Sequence, residues 1–244
     1  MGSYYVNMQH YFGTIVNDKA LINGDQLHHL IDVRRAEIGE KIEISEEGES
    51  YLCEVTSLSP LEIKVIRKIE QKRELDIDLT VAFSLLKGDK NELIVLKGTE
   101  LGASTFIPFV SKRTIIEVGD KAEKKRARLI KIANEGANQC RRDAVPNVTE
   151  IIKYTELLSK PFDVKLFAYE GDAGQGNSLI KEAVKLKPRQ SVLIVIGPEG
   201  GFTDEEAAMA SDYGFQFVSL GRRILRAETA ALYACSILGA YGEE

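Results

Sequence analysis

The sequence predicts an α/β protein with a smaller N-terminal β-domain, and three observations carry that prediction. Near residue 73 of 244, the pattern of apolar and polar residues changes from strand-like alternation to strand and helix in turn. The apolar runs after that point, such as SVLIVIG, are short and continuous, as in strands buried on both faces. Two of these runs end in glycine-containing bends, GPEGG and LGRR, each followed at once by a helical pattern. The length suits two cores, with residues 1–73 as the first domain and 74–244 as the second.

The elements follow in order. The opening MGS reads as a cloning remnant, with the natural start near Met8, and stays outside the fold reading. KIEIS, SYLCEVTSL and LEIKVIRKI alternate apolar and polar residues around the turn stretches EEGES and LSP, predicting short antiparallel strands in a small β-barrel-like domain. DQLHHLIDV is the one helix expected there, with Asp25 as its N-cap, and EQKREL is the expected linker.

LTVAFSLL is then a strand, GDKNELIVLKGTELG a helix closed at Gly102, and TFIPFV a further strand. This order marks a parallel sheet flanked by helices. EKKRARLIKIANEGANQ places Leu129, Ile132, Ala133 and Ala137 on one helical face and turns Lys124, Arg128 and Lys131 mostly outward. VKLFAYE, SVLIVIG and FQFVSL complete the strands. Between the last two, Thr203 and Glu206 form a capping-box pattern, Asp204 and Glu205 suit the helix dipole, and Gly214 is the stop.

Composition narrows the chemistry. Three cysteines (Cys53, Cys140, Cys235) form no CxxC pair and three histidines (His10, His28, His29) no HxxxH, so no metal site and no disulfide framework is expected. A reducing cytoplasm fits this usage, and no apolar run approaches the length of a membrane span. The formal charge is -5, yet Lys112 to Arg142 holds ten basic and four acidic residues, a local +6 that suits either a solvated helix face or a polyanion.

The two bends are the candidate site. Ligands commonly bind at the carboxyl ends of strands in α/β sheets. GPEGG lacks the GK[ST] of a phosphate loop, and Glu199 would repel an anion, leaving a tight structural turn or a site for a different ligand. In LGRRILRAETAAL, Arg226 stands near a helix N-terminus, where the dipole disfavours a cation. It is therefore expected either to serve a function or to pair with Glu228 or Glu199.

Taken together, GPEGGFT, LGRRILRAETAAL, MQHYF, HHLIDVRRAEIGEKIEI, LLKGDKNELIVLKGTELGASTFIPFVSKR and IANEGANQCRRDAVP resemble the bacterial 16S rRNA uracil-N3 methyltransferases, a family of the knotted SPOUT superfamily. The resemblance spans nearly the whole chain. Two departures are Gly98, where the family pattern has alanine, and Asn138, where it has glutamate. Gly98 is expected to cost roughly 1 kcal/mol against alanine within its helix.

The resemblance implies a PUA-like or OB-like β-barrel that binds RNA, a SPOUT α/β methyltransferase domain with a C-terminal trefoil knot, a homodimer, and S-adenosylmethionine as cofactor. That cofactor carries a sulfonium and no phosphate, which suits a loop containing Glu199. Its expected residues are Gly197, Pro198, Glu199, Gly200 and Gly201 in the first bend, with Leu220, Gly221, Ile224, Leu225, Arg226, Glu228 and Thr229 in the second.

The implied reaction methylates N3 of a uridine in small-subunit ribosomal RNA. Charge that develops on O2 and O4 calls for guanidinium groups, and Arg142 and Arg226 are the catalytic candidates. Phosphate contacts are expected from Arg34, Arg35, Lys112, Arg113, Lys124, Arg128 and Arg141. A knotted enzyme acting on another nucleotide such as a tRNA site, and a non-catalytic RNA-binding module, are the competing readings.

Overall fold

The computed structural model describes residues 8–114, 122–169 and 177–243. The MGS opening and Glu117, Asp120 and Lys121 of the basic segment lie outside the described residues. The chain divides into two compact units, Met1–Glu74 with Ala137–Val145, and Leu75–Gly136 with Pro146–Glu244.

The first unit is built on a six-stranded sheet. Its strands are β1 (His10–Phe12), β2 (Thr14–Val16), β3 (Lys19–Leu21), β4 (Lys41–Glu46), β5 (Glu49–Leu58) and β6 (Leu61–Ile69), in the order β1-β4-β5-β6-β3-β2. The expected antiparallel pairing holds except for β1, which lies parallel to β4. Alternation along the strands buries Ile42, Ile44, Cys53, Val55 and Ile63 with Tyr11 and Leu30. The expected helix is real but shorter: α1 (Gly24–His28) runs into a π-helical turn over His29–Val33. Its N-cap is Asn23, without a side-chain cap bond, and Asp25 falls in the first turn.

EQKREL is more than a solvated linker. The Arg73 side chain donates to Glu43, to the Arg141 carbonyl at 2.9 Å and to Asp143 at 3.5 Å, while its backbone N–H donates to Asp143 Oδ2 at 2.8 Å. From Asp143 a hydrogen-bonded chain runs through Ser50 (2.6 Å) and Ser45 (2.5 Å) to His10 Nε2 (2.7 Å). Burying carboxylates as completely as Glu43 requires such partners, because an unpaired buried charge costs several kcal/mol.

The second unit carries an all-parallel sheet. In chain order come β7 (Asp78–Ser84), α2 (Lys90–Glu100), β8 (Thr105–Val110), α3 (Ala122–Cys140), β9 (Asn147–Val148), β10 (Ile152–Lys153) and α4 (Tyr154–Leu158). They are followed by β11 (Val164–Ala168), β12 (Asn177–Ser178), α5 (Leu179–Ala183), β13 (Ser191–Ile196), α6 (Asp204–Asp212), β14 (Gln216–Ser219) and α7 (Ala227–Gly242). The strand order is β10-β8-β7-β13-β11-β14-β12, with β9 on β8. As expected of continuous apolar runs, Val192–Ile196 is buried throughout. The expected inward face of α3 holds, with Leu129 and Ala133 buried and Lys124, Arg128 and Lys131 exposed.

Gly98 has a packing reason that helix propensity misses. A Cβ there would stand 2.7 Å from the ring of Phe106, which is fully buried and has no room to retreat. Gly98→Ala is therefore expected to lower stability in urea unfolding, by about 1–3 kcal/mol for an overpacked core, although propensity alone predicts a gain. A raised midpoint would refute the packing account.

His10 generates a second prediction. Burial lowers its pKa to about 4; Glu43 opposes this, and the charges of Arg73 and Arg141 reinforce it. Between pH 6.5 and 4 the unfolded chain takes up a proton that the native state does not, so stability falls as the pH drops through this window, by roughly 3 kcal/mol in all. Urea unfolding at pH 7, 5.5 and 4.5 should show His10→Gln losing less stability across the series than the parent chain.

Candidate functional site at the strand-end loops

Strand β13 ends at Ile196, and the chain turns within GPEGG. The Gly201 N–H donates to the Pro198 carbonyl at 2.9 Å, closing a turn with Glu199 and Gly200 at its exposed apex. Gly201 takes φ +66°, open to glycine without strain, and a Cβ on Gly197 would stand 2.9 Å from the Phe202 ring. Phe202 is buried beneath the turn, 4.3 Å from the Phe167 ring centroid, anchoring the loop on an aromatic cluster. Helix α6 then starts as expected: Thr203 and Glu206 form both bonds of the capping box.

Neighbouring segments hold this turn by contacts that sequence spacing did not reveal. Arg113, just past β8, donates to the carbonyls of Gly200 at 2.8 Å and Phe202 at 3.3 Å. The Lys112 backbone N–H donates to Glu206 Oε1 at 2.8 Å, so that buried carboxylate both caps its own helix and receives a second strand exit. Glu199 accepts from Lys90 Nζ at 3.0 Å and from the Lys87 N–H at 3.2 Å. Partial burial pushes its pKa up, but the bonds from Lys90 and the backbone outweigh this and leave it below the usual carboxylate range. Glu199 is thus paired with Lys90; neither it nor Glu228 forms an ion pair with Arg226 among the described residues.

The second loop leaves β14, which flanks β11 on the side opposite β13. Gly221 has φ +115°, and its N–H donates to Ser219 Oγ at 3.3 Å. Leu220 and Leu225 are half-buried, Thr229 is exposed, and the Ile224 side chain is 86% exposed. Arg226 is the N-cap residue of α7, exposed, its carbonyl accepting from the Ala230 N–H at 2.8 Å. Two residues on, at the second helical position of α7, Glu228 Oε2 is buried with no hydrogen-bond partner among the described residues. A buried carboxylate oxygen left unmatched in this way is uncommon and suits a ligand bearing positive charge or a donor.

The remaining expected residues divide by partner. Arg142 lies in the first unit, 5% exposed, with its guanidinium forked onto Glu74; the same carboxylate accepts the Asp143 and Ala144 N–H groups. Arg141, expected at a phosphate, is bonded to the buried Glu43. Arg128 is forked onto Glu92, and Arg34 stands 3.8 Å from Glu40. Lys124 and Arg35 are exposed. Lys112 is also exposed, its Nζ 3.5 Å from Glu205.

Among the described residues, no helix is long and apolar enough to cross a membrane, and no group of histidine, cysteine or carboxylate side chains is arranged to hold a metal. Residues 73–239 match the model of the RNA methyltransferase domain, and 22–66 that of the RNA methyltransferase PUA domain. The chain belongs to this RNA methyltransferase family.

Two relatives called ribosomal RNA small subunit methyltransferase E illustrate the match. The Bacillus subtilis protein is 41% identical over 225 residues, covering 89% of this chain and 88% of the relative. The Mesomycoplasma hyopneumoniae protein is 35% identical over 189 residues, covering 77% and 80%. Among solved structures, the Neisseria gonorrhoeae ribosomal RNA small subunit methyltransferase E bound to S-adenosylmethionine superposes with a TM-score of 0.82 at 28% identity, covering 94% of this chain and 95% of that one. The family match therefore includes both glycine bends.

If Arg113 holds the GPEGG turn in shape, Arg113→Ala should cost about 1–2 kcal/mol, the scale of partly exposed hydrogen bonds from a charged donor. Hydrogen exchange should accelerate at the Gly201 amide before global unfolding. Unchanged exchange there would show that the turn holds itself.

Proposed function

We propose that this chain transfers a methyl group from S-adenosylmethionine to N3 of a uridine in small-subunit ribosomal RNA. The observation that carries the reading is that the start of α7 presents two unpaired groups among the described residues, the buried Glu228 Oε2 and the exposed Arg226 guanidinium. The names of the relatives support the small-subunit RNA substrate, and the gonococcal structure supports the cofactor.

The residues present fit the cofactor. Gly201 and Gly221 leave open space where a Cβ would stand, so main chain at both bends is approachable by a ligand. Glu228 offers an unused carboxylate oxygen, whereas Glu199 is already committed to Lys90. Gly197 to Gly201, Leu220, Gly221, Leu225, Glu228 and Thr229 are assigned to hold it, with Ile224 contributing main chain because its side chain points to solvent. Bound there, S-adenosylmethionine supplies an electrophilic methyl group on a positive sulfonium.

The protein's part is charge and position. N3 loses its proton to solvent, the negative charge spreads to O2 and O4, and attack of the N3 lone pair on the methyl would break its bond to sulfur and release the neutral thioether S-adenosylhomocysteine. Arg226, exposed and engaged by no other side chain among the described residues, is assigned to those oxygens. Arg142 is the second candidate; Glu74 fixes its guanidinium plane and holds its charge in a buried position. The target base has to leave its stack to be reached.

A homodimer, a C-terminal trefoil knot, a barrel-shaped PUA-like domain and a cytoplasmic location complete the proposal. The sheet order β7-β13-β11-β14, in which β13 inserts between β7 and β11, supports the SPOUT-type arrangement.

The test is methyl transfer itself. Purified protein incubated with labelled S-adenosylmethionine and small-subunit RNA, assembled subunits or tRNA should place the label on N3 of a uridine in small-subunit RNA. Label in tRNA alone would favour the other-nucleotide reading, and no label with intact RNA binding would favour a non-catalytic module. Calorimetry should show Glu228→Gln weakening cofactor affinity about tenfold, the effect of losing one charge-assisted bond.

A further inference from the structure

Most cations expected to meet RNA are already engaged within their own unit. In the second unit Arg113 is bonded to the carbonyls of Gly200 and Phe202, Arg128 to Glu92, and Lys112 stands 3.5 Å from Glu205. Arg222, Arg223 and Arg226 differ. All three are exposed, and their side chains make no hydrogen bond or ion pair among the described residues. They occupy one short loop, around an Ile224 side chain that is 86% exposed.

The loop is held at both ends. Ser219 Oγ accepts the Gly221 N–H at its start, and Arg226 is built into the first turn of α7 at its end. Three like charges kept close together in an acidic protein repel one another, and no carboxylate among the described residues forms an ion pair with them. A ligand with closely spaced negative charges removes that repulsion, and the phosphodiester backbone of a nucleic acid is such a ligand. Planar guanidinium forks match phosphate oxygens, and the apolar Ile224 between them suits the face of a base. A symmetric contact of this loop with itself in a second copy would instead set guanidiniums against guanidiniums.

We infer that Arg222 and Arg223 form a phosphate clamp for the RNA strand beside the target nucleotide, separate from cofactor binding. The inference rests on the methyltransferase reading above, and places the strand contact on the same loop as Arg226. In this arrangement the clamp sets where the strand lies and Arg226 meets the base.

The experiment compares the full-length protein with the double variants Arg222→Gln/Arg223→Gln and Arg222→Lys/Arg223→Lys. Affinity for small-subunit RNA is measured across a salt series, S-adenosylmethionine affinity by calorimetry, methyl transfer by KM and kcat, and oligomeric state by sedimentation. The glutamine pair is expected to lower the slope of log affinity against log salt by about 1.4, two single-strand phosphate contacts, and to raise KM for RNA. Cofactor affinity, kcat and melting temperature should stay unchanged, and the lysine pair should restore the slope. An unchanged slope and KM would overturn the clamp, as would a change in oligomeric state without a change in slope. A parent chain that binds no S-adenosylmethionine and methylates no RNA would instead sink the underlying reading.

Discussion

Strand β13 lies between β7 and β11 with both faces buried, so the backbone leaving it needs partners from elsewhere in the chain. The GPEGG turn closes one bond of its own and receives others from two strand exits, Arg113 after β8 and Lys87 and Lys90 after β7, while Lys112 after β8 bonds to Glu206 of the helix that follows. The shape of the first bend is thus a property of the parallel sheet. Any ligand between the bends meets main chain held in place before it arrives, the arrangement that costs a binding site least in ordering entropy.

The second bend follows different rules. It is tied at its ends, by Ser219 and by the first turn of α7, and its middle presents arginines and an isoleucine to solvent. One bend is bonded by neighbouring segments; the other presents arginine side chains without partners among the described residues. That division fits a site in which one partner is a small cation-bearing molecule and the other a polyanion. Arg226 stands at a helix N-terminus, where the dipole opposes it, and pairs with no carboxylate among the described residues.

In the first unit the same logic acts on buried charge. Glu43, Arg73, Arg141 and Asp143 are worthwhile inside a small sheet domain only as a complete set, since removing one leaves another unpaired. Residues Ala137–Val145 accordingly fold with this unit, although they lie deep in the second half of the pattern read from sequence. Arg142 inherits its position from Glu74, a residue that in sequence is part of an unremarkable charged stretch.

The sequence by itself determined what depends on near neighbours. The strands SVLIVIG and TFIPFV, the Thr203–Glu206 capping box, the outward cations of α3 and the position of both bends were legible because periodicity and capping involve residues within a few positions of each other. Only the tertiary structure decided which distant groups meet. Lys90 reaches Glu199 across 109 residues and Arg142 reaches Glu74 across 68, and Gly98 is required by the ring of Phe106 on the adjacent strand. Such pairings follow from strand order and register, which place residues together through the fold rather than through the chain, so no local spacing could announce them.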